Sequence, residues 1–69
     1  MKMNHIIRNQ ILQIISVTKR PIETRGLARR LAKRYQTSIY RIYGILSGLT
    51  RANKIIFIVK QAGGPSYIR

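Results

Sequence analysis

Between His5 and Val17 apolar residues recur at helical spacing, with Ile6, Ile7, Ile11, Ile14, Ile15 and Val17 on one side. That pattern predicts a helix, and Asn4 is placed to be its N-cap. At about 100° per residue these positions cover half the helical wheel, and Leu12 falls beyond that arc. So wide a stripe has two readings. Either the helix is deeply buried in a small domain, or the edge carrying Leu12 and Ile15 forms a subunit interface.

The pattern stops at Thr18-Lys19-Arg20-Pro21, because proline cannot continue a helix and biases Arg20 toward an extended conformation. Ile22 then stands as an isolated apolar residue in a very short extended segment. Thr24 can cap a second helix that runs to about Tyr35. Its apolar side is Leu27, Ala28, Leu31, Ala32 and Tyr35, and its other side is Arg25, Arg29, Arg30, Lys33 and Arg34.

After the polar break Gln36-Thr37-Ser38, Ser38 is a good N-cap for a third helix from Ile39 to about Ala52. Ile39, Ile42, Ile45, Leu46 and Leu49 form its apolar face. Tyr40, Arg41, Gly44, Ser47, Gly48 and Arg51 lie opposite. Two glycines inside a helix cost about 1 kcal/mol each relative to alanine, and close approach of a partner is one reason to keep them. Asn53 suits a left-handed C-cap. Ile55 to Val59 is β-branched and aromatic, so it predicts a strand. Gln61-Ala62-Gly63-Gly64-Pro65 is turn chemistry, and Ser66 to Arg69 can return as a second short strand.

Charge narrows what such a chain can do. Among 69 residues there are 14 Lys or Arg and a single acid, Glu23, for a formal net charge of +13. A disordered basic tail would be poor in aliphatic residues. This chain has thirteen Ile and five Leu in blocks, which predicts one folded domain over residues 1–69 with its charge outside. One acid cannot support paired-carboxylate chemistry. With no Cys and only His5, thiol nucleophiles and thiolate metal sites are out as well. We therefore expect no enzyme, no metal and no cofactor, but a binding protein whose partner is a polyanion. No apolar run reaches the roughly 18 to 20 residues of a membrane span. Arg8, Asn9, Gln10 and Gln13 interrupt any signal-peptide core. A cytoplasmic, nucleoid-associated location is the default expectation.

In order and spacing the chain resembles the winged helix-turn-helix superfamily. The matching residues are Ile22 followed by Leu27-Ala28, then Ser38 capping a helix with Ile42, Ile45 and Leu49. The Leu49-x-x-x-Asn53-x-Ile55 step completes the match, resembling the family's exit into the wing. The stretch between Leu27-Ala28 and the third helix is about one helical turn longer than the family's usual pattern. The resemblance implies an α+β fold of three helices, a short strand and a C-terminal β-hairpin wing, with Gly63 and Gly64 at the wing tip. It also implies a third helix in the major groove, a second helix beside the phosphates and a wing along the duplex.

The residues support a similar reading on their own. Arg25, Arg29, Arg30, Lys33 and Arg34 form a phosphate track, since a merely solvated face would interleave Glu with its cations. Arg41 and Arg51 can contact phosphate or guanine, Tyr40 a phosphate or sugar, and Ser47 is a small polar partner. Gly44 and Gly48 allow close seating. Lys54, Lys60 and Arg69 flank the wing. With no Asn or Gln on the outer face of the third helix, strong sequence specificity is not expected. Tyr35, Tyr43 and Tyr67 are expected at the core or its edge, and His5 in solvent. The partner expected is double-stranded DNA, bound by an architectural protein or a small regulator. A basic ribosomal or RNA-associated protein is the alternative, and a homodimer through the first helix is open.

Overall fold

The computed structural model describes residues 3–59 and 64–69. Its elements follow in the order α1 (Met3–Thr18), β1 (Ile22–Glu23), α2 (Thr24–Arg34), α3 (Ile39–Arg51), β2 (Phe57–Val59) and β3 (Ser66–Ile68). This is an α+β fold with three helices and a small antiparallel sheet. Lys60 and Gly63, together with Gln61 and Ala62, lie outside the described residues.

Each helix stops at a non-glycine residue in the left-handed region: Lys19 at φ 58°, Gln36 at φ 51° and Asn53 at φ 59°. After α3, the Asn53 and Lys54 amides donate back to the carbonyls of Thr50 and Leu49 at 3.0 and 2.9 Å. After α2, Gln36 and Thr37 donate in the same way to Lys33 and Ala32. Both are Schellman closures, which satisfy carbonyls the helix leaves unpaired. A single bond from Lys19 to the Ile15 carbonyl closes α1. Asn53 does what its side chain favours, whereas Lys19 and Gln36 take a conformation that costs a residue with a Cβ about 1 kcal/mol.

The helix starts differ more from expectation. Ser38 caps α3 as its chemistry suggests, accepting a hydrogen bond from the Tyr40 amide at 3.0 Å. Asn4 does not cap α1. Asn4 lies inside the helix, which is already formed at Met3, and its side chain is used elsewhere. Nor does Thr24 cap α2. Strand β1 pairs up to Glu23, so the capping position falls on Glu23, which makes no side-chain capping bond. Thr24 becomes the first helical residue and turns inward, 2% exposed, with its hydroxyl unpaired.

In the sheet β3 lies between the other two strands. Ile68 stands opposite both Ile22 and Phe57, and Tyr67 stands opposite both Glu23 and Ile58. Ile56 and Arg69 exchange two backbone hydrogen bonds at 2.7 and 3.0 Å and extend the ladder by one pair. The segment expected to pair from Ile55 therefore does so only from Ile56, while Ile55 is a buried anchor just before the ladder.

The core joins Ile7 and Ile11 of α1, Leu27, Ala28 and Leu31 of α2, and Ile42, Leu46 and Leu49 of α3 to Ile55 and Ile68. Burying each large side chain among them contributes roughly 1.5–3 kcal/mol. Leu12 and Ile15 are half-buried and packed against this core, as are Tyr35 and Tyr43. Helix α1 is not enclosed on all sides, since Ile6 and Val17 remain exposed.

Candidate nucleic-acid interface

Helix α3 buries Ile42, Leu46 and Leu49, and everything the sequence assigned to its other side is exposed. Tyr40, Arg41, Gly44, Ser47, Gly48 and Arg51 fall within an arc of about 120° on the wheel. Tyr40 stands farthest out, 81% exposed. A Cβ built on Gly44 or Gly48 would meet nothing within 4 Å, so neither glycine is there to let another helix pack closely. The strip between Arg41 and Arg51 is thus low and open, with cations at its margins.

All five cations of α2 are exposed, but they do not point one way. Arg25 and Arg29 turn toward Tyr43 of α3 and toward Gly64 and Pro65 before β3, lining an open hollow of about 730 Å³. Arg34 lies 5.8 Å over the ring of its neighbour Tyr35, a cation–π contact at the other end of the helix. By helical phase Arg30 goes with Arg34, and Lys33 lies between the two groups. Tyr43 also lines a second hollow, with Ser47, Arg51, Asn53 and Phe57. The half-buried Tyr43 ring therefore separates a pair of α2 arginines from the basic end of α3.

Lys54 and Arg69 are exposed at the base of the hairpin. Gly64 is half-buried, while Lys60 and Gly63 lie outside the described residues. Glu23, the one acid, lines the same hollow as Arg25 and Arg29. Its Oε1 is 3.3 Å from where a Cβ at Gly26 would be, so the carboxylate lies over the first turn of α2. There it faces the positive end of the helix dipole.

The chain matches no protein-family model, no curated protein and no solved structure.

Three residues outside the expected interface join its edge. Arg41 Nη1 donates to Asn4 Oδ1 at 3.3 Å, which ties the start of α1 to the outer face of α3. His5 and Arg8 follow along α1 and face Gly48 and Ile45. No local pattern links these residues, because the contact depends on how α1 lies across α3. Among the described residues no group of three His, Cys, Asp or Glu could hold a metal ion, and no helix is long and apolar enough to cross a membrane. Chemically, the surface offers guanidinium and ammonium groups, a phenol, a hydroxyl and bare helix backbone. Guanidinium, ammonium, phenol and hydroxyl groups are of the kinds that hydrogen-bond to phosphate and sugar, and the bare backbone leaves room for close approach.

Proposed function

We propose that this chain is a winged helix-turn-helix protein that binds double-stranded DNA mainly through its phosphates, with low sequence specificity. The observation that carries the proposal is the outer strip of α3, exposed at every position, free of acids and low at Gly44 and Gly48. Along its Tyr43 edge it is flanked by Arg25 and Arg29 and by the base of the hairpin, and along its other edge by the start of α1. The order helix, strand, helix, helix, hairpin, with β1 hydrogen-bonded to β3, supports the winged-helix assignment.

In this reading α3 lies in the major groove, and Arg41 and Arg51 reach the backbone at either margin. Arg29 and Arg30 are the principal phosphate ligands of α2, followed by Lys33 and Arg34. Arg25 contributes from the hollow beside Tyr43, and Lys54, Lys60 and Arg69 contribute along the hairpin. Low specificity follows from the side chains available. Phosphate contacts fix position, whereas base edges are read by groups such as Asn and Gln, which the strip lacks. An architectural protein or a small regulator of the nucleoid fits these properties.

Gel shifts with random duplex, promoter fragments and structured RNA, each at two salt concentrations, test the proposal. Laddered shifts on any duplex are expected. One discrete complex on a single fragment would instead identify a sequence-specific regulator. Displacement of duplex by structured RNA at equal phosphate concentration would transfer the assignment to an RNA-associated protein.

A further inference from the structure

A cleft of about 300 Å³ runs along the seam between the start of α1 and the outer edge of α3. Ile45 and Leu49 give it a carbon floor, while Asn4, His5 and Arg8 stand on the α1 side. Its other margin is Gly48, where an added Cβ would meet nothing within 4 Å. Glycine weakens a helix interior, and packing gives no reason for it here. What the missing side chain does is keep the cleft open toward the strip between Arg41 and Arg51. Arg41, held by Asn4, stands at the junction of strip and cleft.

We infer that this cleft seats a segment of nucleic-acid sugar–phosphate backbone beside the main interface. The inference rests on the function proposed above and extends the binding surface to α1. Sugar carbons lie against Ile45 and Leu49, while Arg8 and His5 bond the adjoining phosphate. Three observations favour this occupant over a purely apolar one: Arg8 on the rim beside the donor groups of Asn4 and His5, the continuity with α3 through Gly48, and the net charge of +13. A second copy of the chain would bring like charge against like. Charge complementarity selects a polyanion, and the carbon floor selects one whose charges alternate with apolar rings.

The test measures duplex DNA affinity by fluorescence anisotropy across a salt series for Arg8→Ala, Gly48→Leu and the control Arg20→Ala. Arg20 follows α1, and a helix of 16 residues is about 24 Å long, so the control removes equal charge far from the cleft. Each phosphate contact contributes about 0.9 to the slope of log affinity against log salt. Arg8→Ala is expected to flatten the slope by about 0.9 and to weaken binding roughly five- to tenfold near 0.1 M salt. Gly48→Leu is expected to melt no lower than wild type and to bind about tenfold more weakly, because its side chain fills the cleft. Arg20→Ala should retain the wild-type slope.

If wild type binds duplex and Arg8→Ala keeps its slope, the cleft inference is overturned and the proposed function stands. If wild type itself fails to bind duplex, both fall together. Should Gly48→Leu fail to fold, Arg8→Ala decides the question alone.

Discussion

Arg41 and Asn4, 37 positions apart in sequence, are joined by a hydrogen bond of 3.3 Å between guanidinium and side-chain amide. The bond is exposed, so its net contribution to folding is small, about 1 kcal/mol at most. Its consequence is orientation, because Arg41 is held at the edge of α3 that meets α1. Asn4→Ala should change the free energy of urea unfolding by less than about 1 kcal/mol. A loss several times larger would mean that the start of α1 depends on this bond to dock.

Gly44 separates stability from binding. With nothing within 4 Å of its Cβ position, Gly44→Ala should stabilise the protein by about 1 kcal/mol through helix propensity alone. The same methyl group stands in the middle of the exposed strip, so duplex affinity should fall while the melting temperature rises. Affinity and stability rising together would show that the strip is not a seat for a partner.

Thr24 is 2% exposed and its Oγ1 has no hydrogen-bond partner. A buried hydroxyl without a partner is destabilising, and valine has nearly the same shape without the hydroxyl. Thr24→Val should therefore be more stable by about 1 kcal/mol in urea denaturation. Destabilisation would show that the hydroxyl is bonded after all, through water inside the fold.

The three left-handed residues at the helix ends should respond in opposite ways. Gln36→Gly and Lys19→Gly each remove a Cβ from the left-handed region and should stabilise by roughly 0.5–1 kcal/mol. Asn53→Ala should destabilise by a comparable amount, because asparagine tolerates that conformation better than alanine does. Thermal melts of the three variants check the sign of each change. A destabilised Gln36→Gly would indicate that the side chain of Gln36 holds the α2 to α3 turn.

These sites also mark how far the sequence could be read. Ser38 was legible because its side chain bonds the backbone two residues on, and Asn53 because asparagine tolerates the left-handed region better than most residues do. Lys19 and Gln36 were not, because neither residue type prefers the left-handed region and only the path of the following chain places them there. Thr24 shows tertiary structure overriding a local preference: pairing of Ile22 and Glu23 with β3 carries the strand to the helix start and turns the expected cap inward. The exposed side of α3 followed from helical period alone. The cleft around Arg8 and Gly48 did not, since it exists only where α1 crosses α3.

The central claim is that exposed cations on α2, α3 and the hairpin together cover a duplex-sized set of phosphates. It is tested most directly by the salt dependence of affinity for a random DNA duplex, measured by titration at several salt concentrations. A footprint of about six to nine neutralised phosphates gives a slope of log affinity against log salt of roughly −5 to −8. That range is expected, with little change between duplex sequences. A slope shallower than about −3 would contradict the claim, because so few released counterions could not come from a surface of this extent.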